Sequence, residues 1–322
     1  MHISILVSSA GRRVELIQCL RQSAQEMGIK LTVFASDISP EWSSACRVAD
    51  HRFSVPRCLD DAFIPEMVRL VSEHRIRLII PTIDTELRAF SSNLGKFSQI
   101  GCKVSVGAIT AVTIARSKLL TAQTLRNNNI PTPVTLSWEL FCGNIDALPL
   151  PAILKPNDGS CSSGIVLVDD WSTFNRGRKL DGYIIQERLI GEEFTVNCYT
   201  NGHGQLVAAI PHLRRETRGG EVSKAEVVHH SALEDAAVKI NKAVPGLYGA
   251  WCFQAISAGE KIGIFEINAR FGGGYPIAHR AGGHFTRLLL EDALGIPNSA
   301  MAAWKPGVCM MRYDAAIFSD SP

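Results

Sequence analysis

The sequence lacks the features that mark several classes of protein. It carries 33 basic and 31 acidic side chains, and the resulting net charge of +2 gives no strong field to attract nucleic acid or an anionic membrane. No apolar run approaches the roughly 18 residues that a membrane-spanning helix needs. None of the nine cysteines forms a Cys-x-x-Cys pair or falls at zinc-ligand spacing. We therefore expect no nucleic-acid partner, no membrane partner and no structural zinc.

The start of the chain also lacks the order of charges that a signal peptide has. The apolar stretch Ile3–Val7 comes before Arg12 and Arg13, whereas a signal peptide carries its positive charge first. Most cysteines are interpreted as reduced core thiols. We therefore expect a soluble, cytoplasmic protein, and its 322 residues, 46% of them hydrophobic, are enough for two or three domains.

The first part of the chain alternates β-branched runs with helical spacing. The run at residues 3–7 is followed by a small-residue turn and by apolar residues at helical spacing over 14–20. A second run follows at 31–35, and a helix predicted over 62–73 precedes a third run at 78–80. This alternation predicts a doubly wound parallel sheet, with ligand-binding loops at the carboxyl ends of the strands.

The pattern changes at Ser117, which is predicted to cap a helix that Pro131 terminates. Downstream, short strands typical of an α+β domain are predicted at 152–155, 165–168, 183–187, 194–200, 206–210, 251–256 and 262–267, with a helix at 288–294. We predict an N-terminal Rossmann-like domain at 1–110, a small lobe at 111–190 and a large lobe at 191–322.

The first turn imitates a dinucleotide-binding motif but has only Gly11 where three glycines are required. Arg12 and Arg13 follow at a predicted helix N-terminus, where two cations are unfavourable unless an anion joins them. They are predicted to bind a substrate carboxylate, and solvated surface arginines are the open alternative. Gly11 belongs to the same candidate substrate site.

Three further residues follow predicted strands at the same edge of the sheet. Ser9 comes after the first strand, and Asp84 and Glu86 come after the third. Arginines at this edge would bind a carboxylate, and the acidic side chains would bind an ammonium group. We therefore include these three residues in the predicted substrate site.

Two lysines and a loop of small residues together predict a triphosphate site. Lys118 starts the capped helix, and Lys155 ends an apolar strand, where a buried ammonium is costly without a counter-charge. The loop that follows lets backbone N–H groups close on phosphate oxygens. Its candidate residues are Gly159, Ser160, Ser162, Ser163 and Gly164. An ordinary hairpin turn is the alternative for this loop.

A strand that stops and restarts around Gly191 predicts an adenine and ribose site. Backbone groups next to such a break are free to pair with an adenine edge, and a carboxylate shortly after is able to bind two ribose hydroxyls. The candidates are Gln186, Glu187 and Leu189 for adenine, and Glu193 for the ribose. A polar hairpin with solvated glutamates is the alternative.

Polar side chains on two later strands suit a magnesium site. Gln254 lies on one predicted strand, and Glu266 and Asn268 lie two residues apart on the next. Alternation places Glu266 and Asn268 on one face, and an antiparallel neighbour would bring Gln254 beside them. Carboxylate and amide oxygens, with phosphates and water in the remaining positions, are typical of Mg²⁺. Arg270 continues the same face and is predicted to meet the charge of a transferred phosphoryl group.

Two glycine-containing segments accompany this metal strand. Phe271–Pro276 follows it directly and is predicted to be a flexible loop, which a solvated strand end would not require. Arg214–Gly220 is predicted to be a basic loop between strands that closes over the transferring phosphate, with Arg215 as a catalytic candidate. An exposed, solvated loop is an equal alternative for the second segment.

These motifs, in their order along the chain, resemble the ATP-grasp superfamily. The order is the two lysines, the small-residue loop, the 186–193 segment, Gln254 and the 266–270 segment. Within this superfamily, the sequence is similar to carbamoyl-phosphate-synthase-like single-unit ligases over essentially the whole chain. The resemblance implies a mixed α/β and α+β fold, with a doubly wound parallel-sheet (pre-ATP-grasp) domain before a two-lobed ATP-grasp domain. Cys161 departs from a loop that is mostly Gly and Ser in this superfamily. A full carbamoyl-phosphate synthase uses two tandem units, so unaided synthesis of carbamoyl phosphate is not expected.

The resemblance also implies cofactors and residue roles. The cofactors are ATP and one or two Mg²⁺ ions, for which Mn²⁺ is able to substitute. The implied ATP ligands are Lys118, Lys155, the Gly159–Gly164 loop, Gln186, the backbone near Leu189, and Glu193. The implied metal ligands are Gln254, Glu266 and Asn268. Arg270 would contact the transferred phosphoryl group, with Lys155 and Arg215 as the other catalytic candidates.

The implied reaction joins a carboxylate to an amine and releases ADP and phosphate. The carboxylate attacks the γ-phosphate, and the amine or another nucleophile captures the resulting acyl phosphate, so positioning and charge neutralisation matter most. The partners would be a small-molecule carboxylate and an amine such as an amino acid, and a homodimer is left open. The alternative is an ATP-binding regulatory or assembly protein on the same frame. The complete set Lys155, Glu266, Asn268 and Arg270 argues against that alternative.

Overall fold

The computed structural model describes residues 1–143, 148–159, 164–171, 180–259, 261–301 and 303–319. Within these ranges the chain forms a parallel sheet followed by two antiparallel sheets. Each sheet lies inside one of the three predicted segments, and the exact segment boundaries stay predictions. None of the helices in the described ranges combines the length and the apolar character that a membrane crossing requires.

The first sheet is parallel, with the strand order β3-β2-β1-β4-β5. Its strands are β1 (His2–Ser8), β2 (Lys30–Asp37), β3 (His51–Ser54), β4 (Leu78–Pro81) and β5 (Lys103–Val104). The helices around it are α1 (Val14–Glu26), α2 (Ser44–Val48), α3 (Phe63–His74), α4 (Leu87–Ser91) and α5 (Leu94–Gln99). This arrangement confirms the predicted doubly wound sheet.

Alternate residues of the first sheet pack into cores on its two faces. Ile5 and Val7 pack on the side of α1, and Leu6 packs on the side of α3, because successive strand residues point to opposite faces. Helices cover both faces, which explains why β1 is apolar throughout. The chain order reverses beside β1, so the carboxyl ends of β1 and β4 border a crevice where ligands bind in such folds.

Two helices, α6 (Ile109–Arg116) and α7 (Lys118–Asn127), lead into the small lobe. Ser117 caps α7 as predicted, because its Oγ accepts a hydrogen bond from the backbone N of Leu120 at 3.2 Å. The small lobe has strand order β6-β9-β7-β8 and its own apolar core around Phe141, Leu154 and Ile185. Its elements are β6 (Thr135–Ser137), α8 (Trp138–Gly143), β7 (Ala152–Pro156), β8 (Val166–Val168) and β9 (Tyr183–Glu187).

The third sheet is antiparallel, with the order β14-β13-β10-β11-β12-β15. Its strands are β10 (Glu192–Thr200), β11 (Leu206–Arg218), β12 (Glu221–Val227), β13 (Gly249–Ala258), β14 (Lys261–Asn268) and β15 (Cys309–Met311). The helices α9 (Ser231–Ala243), α10 (Tyr275–Arg280) and α11 (Phe285–Leu294) pack with it. Together with the first sheet, this lobe gives the mixed fold that the sequence predicted.

The prediction of a loop at Arg214–Gly220 is wrong. The structure extends β11 to Arg218, turns at Gly219 and Gly220, and returns in β12. Two register shifts interrupt the β11–β12 pairing near Glu216, and the end of β11 is exposed. A bulged, polar, exposed strand end has no apolar alternation, so its sequence is indistinguishable from that of a loop.

The first and third sheets share one apolar core. Ile5 and Val7 of β1 belong to the same buried cluster as Tyr199 of β10 and Phe285 of α11. The Oγ of Ser23 lies 2.7 Å from the Oγ1 of Thr286, so a buried hydrogen bond joins the helices of the two units. This packing fixes the carboxyl edge of the first sheet beside the third sheet.

Truncation of Phe285 tests this shared core. Its ring is fully buried, with ring centroids 5.6 Å from Tyr199 and 5.4 Å from Tyr275. Phe285→Ala is expected to lower the free energy of unfolding by about 3–5 kcal/mol, because it leaves a cavity in a close-packed region. Urea denaturation measures the change. The matched control is Phe318→Ala, whose ring is 91% exposed, and equal effects of the two substitutions would contradict the shared core.

Candidate active site

Two cavities meet where β13 and β14 face the first sheet. The first has a volume of about 490 Å³ and lies between the small lobe and the third sheet. The second has a volume of about 300 Å³ and reaches the carboxyl end of β4, including Asp84. Both cavities are lined by Arg214, Gly220, Gln254 and Glu266. A ligand in one cavity is therefore in direct reach of a ligand in the other.

The strand register brings the predicted metal ligands together. Gln254 of β13 lies opposite Glu266 of β14, and Asn268 lies opposite Cys252. Gln254 and Glu266 line both cavities, and Asn268 lines the second. One carboxylate and two amide oxygens suit a Mg²⁺ ion that keeps phosphate and water ligands. In the described part of the chain, no group of three or more His, Cys, Asp or Glu side chains is placed to hold a metal.

The two predicted phosphate lysines lie at the first cavity and are both buried. Lys118 Nζ donates to the carbonyl of Gly159 at 2.6 Å, and Lys155 Nζ lies 5.2 Å from the centre of the Phe265 ring. Burial lowers the pKa of Lys155 to about 8, although Glu266 opposes this shift, and Lys118 lowers it further. Burial also lowers the pKa of Lys118. Ammonium groups held in this way gain strongly from an anionic ligand.

Asn157 connects the two lysines through the backbone. The backbone N of Leu119, in the first turn of α7, donates to Asn157 Oδ1 at 2.9 Å. The backbone N of Lys118 donates to the carbonyl of Asn157 at 3.1 Å. Because Asn157 follows Lys155 by two residues, these bonds tie the start of α7 to the end of β7. Both ammonium groups are thereby directed into the same cavity.

The residues predicted to bind adenine and ribose line the first cavity. The side chain of Gln186 is buried and donates to Thr135 Oγ1 at 2.7 Å, and Glu187 accepts from the backbone N of Val134 at 3.1 Å. Each of these two side chains therefore already makes a hydrogen bond within the protein. Burial raises the pKa of Glu193, although Arg214 opposes this shift from 3.2 Å away.

The small-residue loop is only partly described. Gly159 lines the first cavity, and Gly164 lies outside both cavities with a positive φ of 73°. A Cβ on Gly164 would lie 2.9 Å from the hydroxyl of Tyr183, so this position requires glycine for packing. The candidate phosphate ligands Ser160, Ser162 and Ser163, together with Cys161, fall outside the described residues.

Two ion pairs border the second cavity. Arg270 Nη2 lies 2.6 Å from Asp84 Oδ2, and Arg13 Nη1 lies 3.2 Å from Glu221 Oε1. Burial alone would raise the pKa of Asp84, but Arg270 outweighs it and lowers that pKa below its ordinary value. Arg270 Nη2 also donates to Asn268 Oδ1 at 3.3 Å. Arg270, which the sequence predicts to contact a phosphoryl group, is therefore linked both to the predicted metal ligand Asn268 and to the candidate substrate residue Asp84.

Four of the predicted substrate residues lie outside both cavities. Glu86 is fully buried, and its carboxylate accepts from Ser8 Oγ at 2.6 Å, Ser9 Oγ at 2.8 Å and the backbone N of Thr82 at 2.7 Å. Glu86 thus joins the ends of β1 and β4, and both of its carboxylate oxygens already accept hydrogen bonds from the protein. The backbone N of Gly11 donates to Asp37, and Arg12 is exposed. The predicted substrate residues that lie outside the cavities are Ser9, Gly11, Arg12 and Glu86.

Arg214, and not the predicted catalytic candidate Arg215, lines the two cavities. Arg215 is 54% exposed and pairs with Glu226, away from both cavities. Its neighbour Arg214 is 5% exposed, lines both cavities and donates to the carbonyl of Gly220 at 2.9 Å. Neighbouring residues of a strand point to opposite faces, so only one of the two arginines reaches the site.

The sequence reasoning missed four features of the second cavity, namely Arg214, Glu221, Cys252 and the role of Gly272–Gly274 as a wall. The alternation of β13 would have placed Cys252 on the same face as Gln254. Nothing in the sequence marks Glu221, because it follows a turn that was interpreted as part of a loop. Its role depends on side chains far away in the chain.

Family comparison agrees with this geometry. Residues 5–105 match the family model described as the PylC-like, N-terminal domain, and residues 115–274 match the ATP-grasp domain. The two models together account for most of the chain. The residues of both ion pairs and the three predicted metal ligands lie within the matched ranges. The chain belongs to the ATP-grasp family, whose members include ATP-binding ligases.

Individual relatives have low sequence identity to this chain but align with most of it. The formate-dependent phosphoribosylglycinamide formyltransferase of Syntrophotalea carbinolica is 24% identical over 311 residues, covering 88% of this chain and 76% of that protein. The L-amino acid ligase from Bacillus licheniformis has a TM-score of 0.72 at 16% identity, covering 94% of this chain and 77% of that chain. N5-carboxyaminoimidazole synthetase from Staphylococcus aureus complexed with ADP has a TM-score of 0.71 at 17% identity, covering 92% and 79%. The structural likenesses show the fold.

The lowered pKa of Lys155 predicts that ATP affinity depends on pH. The charged ammonium attracts phosphate and the neutral amine does not, so affinity is expected to fall as pH rises through about 8. The dissociation constant should rise by up to about tenfold per pH unit above that value. Calorimetric titration with MgATP across this range measures it. Lys155→Arg keeps its charge throughout and should flatten the profile, and a flat wild-type profile would remove Lys155 from the phosphate site.

Proposed function

We propose that the protein is a MgATP-dependent carboxylate–amine ligase. The observation that carries the proposal is the junction of the two cavities at Gln254 and Glu266. The first cavity has the lysines and the interrupted strand that suit a nucleotide, and the second has paired guanidinium and carboxylate groups that suit a small polar substrate. A phosphoryl group leaving the nucleotide at this junction enters the second cavity directly.

The side chains at the junction suit the transfer of a phosphoryl group to a carboxylate. Lys118 and Lys155 would neutralise the phosphates of ATP, and Arg214 and Arg270 would hold the transferred group from the other side. Glu266, Asn268 and Gln254 would hold Mg²⁺, which when bound supplies charge neutralisation on the phosphate oxygens. No protein nucleophile is needed, because the substrate carboxylate attacks the γ-phosphate and the reaction depends on alignment.

The second cavity has groups for both halves of the joining reaction. Arg13 would orient a substrate carboxylate, and Asp84 would bind an ammonium group before it attacks the acyl phosphate. The similarity to an L-amino acid ligase is consistent with an amino-acid substrate. The volume of about 300 Å³ limits the cavity to small molecules. A cytoplasmic location and a homodimer stay predictions.

Phosphate release tests the ligase proposal. The purified protein is incubated with MgATP and pools of amino acids and small carboxylic acids, and inorganic phosphate is followed with time. Release is expected only with the pool that contains both substrates, and mass spectrometry of that pool identifies the product. Glu266→Gln serves as the inactive control, because it removes the only carboxylate of the metal set. Tight ATP binding without release in any pool would instead favour an ATP-binding regulatory or assembly protein.

The neighbouring arginines of β11 provide a matched pair of variants. Arg214→Ala is expected to lower kcat about 100-fold, which is the typical loss when one donor to a transition-state charge is removed. Arg215→Ala removes an exposed side chain on the other face and should leave kcat within about twofold. Steady-state phosphate release measures both variants. The assignment of Arg214 would be withdrawn if the two variants lost activity equally.

A further inference from the structure

Arg312 follows the edge strand β15 and reaches into the wall of the second cavity. Its Nη1 donates to Glu221 Oε2 at 3.1 Å, and its Nη2 lies 3.5 Å from Glu15 Oε2 and donates to the carbonyl of Gly273. The side chain is 19% exposed. One guanidinium therefore joins the first helix, strand β12 and the loop after the metal strand. It lies beyond the residues that the two family models match.

Glu221 transmits this contact to the cavity. One of its carboxylate oxygens pairs with Arg312, and the other lies 3.2 Å from Arg13 Nη1. Burial alone would raise the pKa of Glu221, but the two arginines outweigh it and lower that pKa. Arg13 and Glu221 both line the second cavity, whereas Arg312 does not. Arg312 therefore acts through its neighbours and has no direct contact with a ligand in the cavity.

The glycine loop, residues Gly272–Gly274, forms another part of the cavity wall. A Cβ would lie 3.0 Å from Cys252 Sγ at Gly272, 2.9 Å from Arg13 Nη1 at Gly273 and 2.9 Å from His212 Nε2 at Gly274. The main chain of the loop thus lies directly against the side chains beneath it. Because the loop has no side chains, its position depends on contacts to its backbone, among them the bond from Arg312 to Gly273.

We propose that Arg312 is a positioning residue that holds the glycine loop closed against the second cavity. The segment after β15 then completes the substrate site by fixing the Arg13–Glu221 pair and the loop together. The proposal rests on the proposed function only for what the cavity binds, a small carboxylate or amine. The position of the loop is independent of that assignment.

The same segment offers a matched control. Arg218 pairs with Asp314, two residues after Arg312, but these side chains are 63% and 81% exposed and lie outside both cavities. Arg218→Ala removes an ion pair to the C-terminal segment without touching the glycine loop. Arg312→Lys keeps the charge but loses the forked geometry that serves several acceptors at once.

Alkylation of Cys252 tests the position of the loop without any substrate. Cys252 is buried beneath Gly272. In Arg312→Ala, its rate of modification by iodoacetamide, followed by peptide mass spectrometry, is expected to rise about tenfold, the factor for losing one charge-assisted hydrogen bond. The modification rate of Cys252 in Arg312→Lys should lie between the rates in Arg312→Ala and the wild type. The rate in Arg218→Ala should match that of the wild type. Cys198, which is fully buried in the same sheet, reports general loosening. An unchanged Cys252 rate, or an equal rise at Cys198, would overturn the proposal.

Steady-state kinetics provide a second measurement. They use the substrates that the phosphate-release experiment identifies. Arg312→Ala is expected to raise KM for the non-nucleotide substrate about tenfold and to leave KM for ATP within about twofold, because its partners Glu221 and Gly273 line the second cavity and not the first. Arg312→Lys should recover part of the loss. A parallel rise of both KM values would contradict a positioning role. If the wild type releases no phosphate with any pool, the proposed function fails, and the alkylation result still decides the role of Arg312.

Discussion

Glu266 lies where two cavities join, within electrostatic reach of the buried ammonium groups of Lys118 and Lys155 and of the guanidinium of Arg270. Asp84 pairs with Arg270, and Glu266 is the carboxylate that acts most strongly on both buried ammonium groups, whose combined positive charge exceeds its single negative charge. That unbalanced charge costs folding free energy, and the polyphosphate and metal ion proposed for this site would relieve it. The surrounding fold can be understood as the support that keeps these charges close together. The capped helix α7, the register of β13 with β14 and the Asp84 ion pair all serve this arrangement.

The grouping of the three predicted metal ligands was predictable because strands have a strict period of two. Alternation placed Glu266 and Asn268 on one face, and antiparallel pairing then placed Gln254 opposite Glu266. The same rule could not choose between Arg214 and Arg215. The choice requires the register of a strand that contains bulges, and its exposed end carries no apolar residues to reveal that register.

The predicted substrate residues show a second limit of prediction from the sequence. Asp84 and Glu86 both follow β4, but the chain there forms a short 3₁₀ turn, so an extended spacing of two does not put them on the same side. Asp84 faces the second cavity, while Glu86 turns inward to join Ser9. A carboxylate that holds two strand ends together has the same sequence appearance as one that awaits a ligand. The two kinds of carboxylate differ only in the number of hydrogen-bond donors that surround them in the folded protein.

The glycine loop constrains how the second cavity could change over evolution. A methyl group at Gly272, Gly273 or Gly274 would press on Cys252, on the Arg13 pair or on His212, so any side chain there would displace a neighbouring group. Variation in substrate size is therefore more accessible at other lining positions, such as Thr85 and Val222. The glycine loop forms one wall of the cavity and has no side chains that could vary. A new substrate preference would therefore have to arise from residues on the opposite walls.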